Sequence, residues 1–401
     1  MKRIDAVHRI LTLWLAFVGL TFAGSIAAAE SAAASPRDQL PQAVRGVWLT
    51  NVASDVLYSR EGIERAVALC KELGLNTIFV VTWNKGQTLY PSQVMENFTG
   101  VAMDPALDPQ GGGRDPLQEV IDAAHAQGIK VIAWFEFGFA SSHNAAGGRI
   151  GELKPHWKAL NSRGELVTKN GFDWLNALDS EVQDFMTSLV LEVASRYDVD
   201  GIQGDDRLPA MPSEGGYNPG VVARYQREHN GAKPPQDSQE PGWVDWRANI
   251  LNDYAGSLYR QVKAVRPDLI VSFSPSIYPW SKREYLQDWP AWLQAGHVDL
   301  LIPQAYRHDL AAYEATLQQT LALVPETERQ KFAPGVLIRV GDQLPSQAMF
   351  SGMLAANRRA GLLGEVFFFY EGLAPFADAI RASYRAQPVR FPELTKTKAA
   401  P

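Results

Sequence analysis

The sequence of 401 residues has little of what several classes of protein require. It contains one cysteine, Cys70, so no disulfide can form within the chain. Its net charge is −6 and no block of basic residues occurs, which argues against a nucleic-acid partner. After the first 28 residues, no apolar run is long enough to cross a bilayer. We therefore look for a globular domain without disulfides, and we expect no cofactor and no metal.

The first 29 residues have the pattern of a secretory signal peptide. Lys2, Arg3 and Arg9 precede an apolar run over residues 11–28, and small residues before Glu30 offer a cleavage site. No cysteine follows this run, so lipid attachment there is excluded. An uncleaved anchor is the alternative, but the run is short for a membrane span and ends in small residues. We expect a periplasmic or secreted monomer with no stable membrane insertion.

One pattern repeats along the rest of the chain, in which short apolar runs alternate with segments of helical periodicity. Leu117, Val120, Ile121 and Ala124 illustrate the helical spacing. Continuous apolar strands that alternate with helices indicate parallel strands buried on both faces. The strand-like runs are "RGVWLTN" (from Arg45), "NTIFVVTW" (Asn76), "KVIAWFEF" (Lys130), "DGIQGDDR" (Asp200), "LIVSFSPS" (Leu269), "DLLIPQAY" (Asp299), "KFAPGVLI" (Lys331) and "GEVFFFYEG" (Gly364).

Eight such units predict an α/β fold, the (β/α)8 TIM barrel, because this fold uses eight parallel strands and leaves no edge. The barrel should occupy residues 44–387, preceded by a linker over residues 30–43 and followed by a disordered tail over residues 388–401. Long loops are expected after strands two, three and four. Such loops are commonly functional, and these three leave the strand ends at which barrel active sites lie.

Acidic residues stand at two of these strand ends. Glu136 closes the third strand within the aromatic run "AWFEFGF", where an ionised carboxylate is costly to desolvate unless it is paired or meets substrate. Asp205, Asp206 and Arg207 follow the fourth strand. Carboxylates from neighbouring strands should converge, as in the pair of acids that cleaves a glycosidic bond. Glu136, Asp205 and Asp206 are therefore the candidate catalytic residues, with pairing to Arg207 as the structural alternative.

Polar and aromatic residues near the other strand ends are candidates for substrate contact. The 11 Trp and 13 Tyr suit stacking on sugar rings, although any one of them can instead be a packing residue. Glu371 can equally sit in a loop without a role. The candidates are Trp48, Trp83, Asn84, Tyr90, Trp157, Arg207, Gln304, Tyr306, Tyr370 and Glu371.

Several of these runs together resemble the glycosyl hydrolase-like family 10. They are "RGVWLTN", "DPLQEVIDAAHAQGIKVIAWFEFGF", "WLNALDSEVQDF", "YDVDGIQGDDR", "SFSPS" and "LIPQAY", in this order, and the likeness extends from Arg45 to Gly372. The "WFE" variant looks like the bacterial envelope glycosidases that cut peptide-stripped (denuded) peptidoglycan. The resemblance implies a barrel, a glycosidase activity and acids at the positions of Glu136, Asp205 and Asp206. Gly204 departs from the bulky residue of many relatives, which predicts a wider pocket floor.

The roles of the individual acids stay open at this stage. Cleavage needs one protonated carboxyl and one ionised carboxylate. Burial among aromatics favours Glu136 as the protonated acid, but the two aspartates could share a proton and supply it themselves. Retaining, inverting and acetamide-assisted routes are all compatible with the sequence. The arginines Arg207, Arg307 and Arg339 are candidates to meet the lactyl carboxylates of denuded strands.

Two other functions compete with a glycosidase. A catalytically inactive carbohydrate-binding barrel would keep the aromatics and tolerate loss of the acids, so the presence of all three acids argues against it. A metal-dependent deacetylase would need histidine ligands near the aspartates, but the next histidine after Asp206 is His229. The sequence therefore favours a polysaccharide as the substrate and hydrolysis as the reaction.

Overall fold

Eight parallel strands form the main sheet in the computed structural model, which describes residues 39–395. All eight lie within the runs predicted from the sequence. The predicted signal peptide lies outside the described residues. The strands are β1 (Gly46–Leu49), β2 (Thr77–Val81), β3 (Lys130–Phe135), β4 (Gly201–Gly204), β5 (Ile270–Phe273), β6 (Leu300–Leu301), β7 (Gly335–Leu337) and β8 (Val366–Phe368).

The strands close into a ring in chain order. Each of β1 to β5 pairs in parallel with the next strand, β7 pairs with β8, and β8 pairs with β1. Two isolated parallel bridges, Leu301 to Phe332 and Gln304 to Gly335, join β6 to β7 and close the last seam. The predicted (β/α)8 barrel is confirmed, and the eight-stranded sheet closes on itself without a free edge.

Helices separate the barrel strands, as their periodicity predicted. Asp115 caps α3 by accepting a hydrogen bond from the backbone of Gln118, and Gly74 ends α1 with a positive φ of 81°. The α-helices are α1 (Arg60–Leu73), α2 (Gln93–Thr99), α3 (Pro116–Ala126), α4 (Gly148–Leu153), α5 (Ser180–Arg196), α6 (Pro219–Glu228), α7 (Pro241–Val265), α8 (Trp280–Tyr285), α9 (Trp289–Gln294), α10 (Leu310–Leu321), α11 (Gln347–Arg359) and α12 (Ala377–Ala386). Short 3-10 turns lie at Val56–Tyr58, Pro105–Leu107, Pro155–Trp157, Glu326–Lys331, Tyr370–Gly372 and Ala374–Phe376.

Cys70 lies on the buried face of α1. It is 1% exposed, and burial raises the pKa of its thiol to about 12. A thiol with so high a pKa carries almost no thiolate at neutral pH, so Cys70 is a core residue and not a nucleophile.

Long insertions follow β2, β3 and β4, as expected. The first contains a two-stranded hairpin (Trp83–Asn84 with Gln87–Thr88), and the second contains an antiparallel sheet of Ala140–His143, Phe172–Trp174 and Thr168–Lys169. The third carries α6. These segments rise from the carboxyl ends of the strands and surround the barrel mouth.

Lys169 ties two of these insertions to the loop after β5. Its ammonium group lies 3.0 Å from a carboxylate oxygen of Glu214 and 3.0 Å from one of Glu284, and it lies 4.8 Å from the ring centre of Tyr285. Only 17% of the Lys169 side chain is exposed, so these contacts are partly shielded from solvent. These contacts join the segments that follow β3, β4 and β5 on one side of the barrel mouth.

The ends of the described region pair with each other. Gln42 and Arg390 form a parallel bridge, and the Ala43 amide donates to the Arg390 carbonyl at 3.0 Å. The predicted linker (30–43) and tail (388–401) both extend beyond the described residues, and their boundaries stay predictions. Within residues 39–395, the helices lack the combination of length and apolar character that crossing a bilayer requires.

Candidate active site

The three candidate acids meet at the mouth because their strands are neighbours. Phe135, the last residue of β3, is in register with Gly204, the last residue of β4. The next residues, Glu136 and Asp205, therefore leave the barrel at the same level. The predicted convergence of carboxylates is what the parallel register produces.

Glu136 is buried but only half of its carboxylate is engaged. Its Oε2 accepts hydrogen bonds from Nδ2 of Asn84 at 2.6 Å and from the hydroxyl of Thr50 at 3.1 Å, while Oε1 has no donor among the described residues. The residue is 7% exposed, and burial raises its pKa above the usual range despite the nearby Arg207. Burial of this kind favours the neutral form of a carboxyl group.

Asp205 is the most constrained of the acids. It is 1% exposed and accepts from the Arg207 amide at 2.9 Å, from Nη2 of Arg207 at 3.1 Å and from the indole of Trp134 at 3.3 Å. Burial raises the pKa of Asp205 well above its usual range, while the charge of Arg207 opposes this increase. With three donors around it, Asp205 is placed to orient Arg207.

Asp206 is the open member of the pair. Its side chain is 26% exposed, and its Oδ1 lies 3.2 Å from Nη1 of Arg207 without forming a hydrogen bond. The strand ends at Gly204 and a turn begins at Asp206, and of the two aspartates Asp206 has the more exposed side chain. The sequence left this choice open and the structure decides it.

Arg207 sits among the acids. Its Nε donates to the Glu136 carbonyl at 2.8 Å, its two terminal nitrogens reach Asp205 and Asp206, and its guanidinium lies 4.6 Å from the ring centre of Phe172. Burial opposes its charge, but the three carboxylates raise its pKa. The charge of Arg207 is thus already paired with Asp205 and Asp206. We therefore regard Arg207 as a positioning residue.

Two glycines allow the loops after β3 and β4 to touch. Gly138 has a φ of +49°, and a Cβ there would lie 2.2 Å from the Arg207 carbonyl oxygen. A Cβ on Gly204 would lie 2.2 Å from the Leu208 carbonyl oxygen. Gly204 therefore does not widen the pocket floor as expected from the sequence, because the chain itself folds back into the space.

Tyr306 and Gln304 follow β6, two strands along the ring from β4. The Tyr306 hydroxyl is buried and has no hydrogen-bond partner among residues 39–395. Burial raises its pKa well above the usual range, and the charges of Asp206 and Asp205 add to the effect. Gln304 is half-buried, and its Nε2 donates to the Ser274 carbonyl at 3.1 Å. The Tyr306 hydroxyl is thus an unused donor near the acids.

Tyr370 and Glu371 lie on the rim where β8 meets β1. Glu371 accepts a hydrogen bond from the Ser54 hydroxyl at 2.7 Å. Both residues line a polar cavity of about 540 Å³ together with Asn51, whose Oδ1 is buried and unpaired. Glu136, Asp205 and Asp206 are not part of its lining.

Four of the predicted aromatic contacts lie in packing positions. Trp48 is inside the barrel, 1% exposed, with its indole donating to Gln203. Trp83 is fully buried and donates to the Gly138 carbonyl, and the buried Tyr90 bonds Glu192 of α5. Trp157 packs on Phe98 and Phe185. The structure brings none of these ring faces to the surface of the mouth.

Sequence reasoning missed several residues that hold the acids. Thr50 follows β1 directly, so the rule that found Asn84 would also have found it. Trp134 gave no such signal, because its indole reaches Asp205 from within a buried strand. Gln287 bonds the Asp205 carbonyl at 2.8 Å from a distant loop. Among residues 39–395, no three side chains of His, Cys, Asp or Glu are arranged to hold a metal ion.

Solved structures with a similar fold include several glycosidases. The glycoside hydrolase domain of PgaB (BpsB) from Bordetella bronchiseptica superposes with a TM-score of 0.62 at 16% identity, covering 84% of this chain and 98% of that chain. The alpha-L-fucosidase isoenzyme 2 from Paenibacillus thiaminolyticus also reaches 0.62 at 15% identity, covering 86% and 49%. At such low identity these likenesses support the barrel fold alone.

Sequence relatives and a family profile bear on the family of this chain, and the profile is the one that assigns it. Glycosyl hydrolase DigH of Escherichia coli (strain K12) is 27% identical over 352 residues, covering 76% of this chain and 75% of that protein. Glycosyl hydrolase YngK of Bacillus subtilis (strain 168) is 23% identical over 305 residues, covering 67% and 55%. The profile of the family Glycosyl hydrolase-like 10 matches residues 43–340, more than half of the chain. The chain therefore belongs to the glycosyl hydrolase-like 10 family and is a glycosidase, as its strand-end acids predicted.

Proposed function

We propose that this glycosidase hydrolyses a bacterial envelope polysaccharide, namely peptidoglycan strands from which the peptides have been removed. The observation that carries the proposal is the pairing at the mouth of a buried, half-engaged Glu136 with the partly exposed Asp206. The chemistry of acetal cleavage asks for two such carboxyl groups. We further propose that the protein acts outside the cytoplasm, in agreement with the signal-peptide pattern.

Glu136 is our candidate for the general acid. The leaving oxygen must receive a proton as the bond breaks, and a carboxyl group with a raised pKa keeps that proton near neutral pH. Asn84 and Thr50 hold one oxygen of Glu136, so the other oxygen can point at the leaving group. This arrangement uses the oxygen that has no donor in the free protein.

Asp206 is our candidate for the ionised partner. The transition state carries positive charge at the sugar's anomeric carbon, which a nearby carboxylate stabilises. Asp206 has an exposed edge, whereas Asp205 is enclosed by three donors. Asp205 would then act through Arg207 and would not touch the sugar. Tyr306 supplies a hydroxyl that is free to bond the substrate.

The surroundings of the mouth support a long, slim substrate. Insertions after β2, β3 and β4 follow the strand ends next to the acids, and a polar cavity lies at Glu371 among residues that follow β1 and β8. A polymer that enters from the side needs an open cleft with several subsites. Peptide branches would crowd these insertions, while denuded strands would pass between them.

The competing function, an inactive barrel that only binds carbohydrate, fits the site less well. A binding protein gains nothing from burying a glutamate and an aspartate at one point, because each buried charge costs desolvation energy. An enzyme needs that environment to shift the pKa of its acid. The raised pKa of Glu136 thus favours catalysis over binding alone.

The decisive experiment compares peptidoglycan with and without its peptides. Purified protein is incubated with intact sacculi and with amidase-stripped sacculi, and the products are resolved by mass spectrometry. We expect soluble fragments that have gained water, mainly from stripped strands, and none with Glu136→Gln. Anhydro products would overturn hydrolysis. Equal rates on both sacculi, or faster cleavage of cellulose or xylan, would overturn the proposed substrate.

A further inference from the structure

A basic pocket opens on the mouth side of β6 and β7. Its volume is about 320 Å³, and its lining includes Arg307, His308, Arg339, Gln343 and Ser346. We call this set the arginine pocket. Arg307 directly follows Tyr306, whose hydroxyl lies near the catalytic acids, so the arginine pocket belongs to the same face of the barrel.

The two guanidinium groups are oriented without being neutralised. Nη1 of Arg307 donates to the Tyr306 carbonyl at 2.7 Å, and Arg339 donates to the carbonyls of Gly341 and Glu371 at 2.8 and 3.2 Å. Carbonyl oxygens fix a side chain but carry no net charge. In the part of the chain that the structure describes, Arg339 has one salt-bridge partner, the fully exposed Asp342 at 3.7 Å, and such a contact is weak.

Arg207 offers a contrast with this pair. It is only 15% exposed and lies within 3.2 Å of both Asp205 and Asp206, so its charge is already matched. Of the three arginines that the sequence suggested for substrate carboxylates, Arg307 and Arg339 are therefore the two whose charge is available to a ligand. A guanidinium with free N–H groups suits a carboxylate, which it can bind through two parallel hydrogen bonds.

We infer that the arginine pocket binds a carboxylate carried by a substrate sugar, and that in the proposed substrate this is the lactyl carboxylate of muramic acid. The inference rests on the proposed function. Removal of the peptide turns an amide at the lactyl group into a free carboxylate. The arginine pocket can therefore distinguish denuded from peptide-bearing strands by charge as well as by size. It would supply a reason for the enzyme to prefer denuded strands that steric crowding alone does not supply.

The test uses one glycan in two charge states. Denuded strands are compared with the same strands after carbodiimide coupling to ammonia, which converts the lactyl carboxylates into neutral amides. For the wild type, kcat/KM should be about 10- to 100-fold higher on the charged strands, as for hydrogen bonds to charged groups. The double variant Arg307→Gln/Arg339→Gln should lose this preference, mainly through KM, and match the wild type on amidated strands.

Controls separate charge recognition from damage to the fold. Arg329→Gln changes an exposed arginine beside a different cavity, before β7 and thus at the other end of the barrel, and should leave the preference intact. The double variant Arg307→Lys/Arg339→Lys keeps both positive charges and should retain part of the preference for charged strands. Equal wild-type rates on both strands would overturn the role of the arginine pocket while the proposed function stands. Failure to cleave either strand would overturn both.

A second arm identifies the source of the carboxylate. Oligogalacturonate carries its carboxylates on the sugar ring and has no lactyl group. It should inhibit cleavage of denuded strands weakly, whereas soluble denuded fragments should inhibit it well. Equal inhibition by the two would overturn the lactyl assignment.

Discussion

The two ends of the barrel both bury carboxylates, but they pair them differently. Before β8, Glu365 is fully buried, and its two oxygens accept four hydrogen bonds, from Asn357, from both terminal nitrogens of Arg358 and from Tyr384. At the mouth, Glu136 leaves Oε1 without a donor and Asp206 leaves Oδ1 without a hydrogen bond. The lower end thus satisfies its acid completely, and the mouth does not.

This difference separates stability from function. A buried carboxylate with every lone pair matched holds elements together, here α11, α12 and β8. A buried carboxylate with an unmatched oxygen costs stability and is retained where a ligand or a reacting proton supplies the missing partner. The same residue type therefore has opposite thermodynamic roles at the two ends.

Removing the acid at the lower end should have the largest effect on stability. Glu365→Ala leaves Arg358 partly buried without its carboxylate, so the free energy of unfolding should fall by about 3–5 kcal/mol. Chemical denaturation monitored by circular dichroism measures this loss. Glu228→Ala, which breaks an exposed pair with Arg224, is the matched control and should cost less than about 1 kcal/mol. Similar losses in both variants would contradict the comparison.

Removing an acid at the mouth should abolish activity without unfolding the protein. Glu136→Gln and Asp206→Asn keep the size of each side chain but not its proton or charge, so kcat should fall by roughly 100-fold or more. Release of reducing ends from denuded strands measures the rate. Folded variants with full activity would move the catalytic site elsewhere.

Glu136→Gln, which should inactivate the enzyme, should also increase the stability of the folded protein. The pKa of Glu136 is raised in the folded state, so the native protein holds this proton more tightly than the unfolded chain, and stability falls as pH rises from the unfolded pKa through the folded one. Glu136→Gln removes this loss. At neutral pH it should stabilise the protein by roughly 0.5–2 kcal/mol, a range common for stabilising substitutions.

Thermal melts at two pH values test the sign of this effect. The gain in Tm of Glu136→Gln over the wild type should be present at neutral pH and disappear below the usual pKa of a glutamate, where both proteins are neutral at this position. A gain that grows in acid would show that folding lowers the pKa of Glu136 and would contradict its assignment as the acid. A gain that stays the same in acid would show that it does not come from the ionisation of Glu136.

The smallest effect should come from the support of Glu136. Thr50→Val removes a hydroxyl that donates to Oε2 and favours the ionised form, so the pKa of Glu136 should rise further. The alkaline limb of the kcat/KM profile should then move to higher pH. The maximal rate should fall by roughly fivefold, as for the loss of one hydrogen bond of about 1 kcal/mol. A shift of that limb to lower pH would contradict the role of Glu136.

Much of the fold could be predicted from the sequence because its signals are local. Apolar runs, helical spacing and caps such as Asp115 act within a few residues, and the eight predicted strands all formed. The same local reading placed Glu136, Asp205 and Asp206 at strand ends. Parallel register then made their convergence a geometric consequence.

The roles of the aromatic candidates could not be predicted from local sequence signals. Whether a tyrosine or tryptophan stacks on a sugar or packs in the core depends on partners far away in the chain. Tyr90 is covered by α5 through Glu192, and Trp157 is covered by Phe98 and Phe185. No property of the local sequence distinguishes these rings from exposed ones, since burial is decided by elements about 30 to 100 residues away.

By itself, the sequence determined the barrel, the strand ends that carry acids and the class of chemistry, because periodicity and side-chain type are local properties. Only the tertiary structure decided which aspartate faces the mouth, that the charge of Arg207 is matched, and that Gly204 has no free space beside it. These features depend on where loops from different strands meet. Hydrogen bonding and burial are set by those contacts, and they in turn set the pKa and the accessible oxygen of each acid.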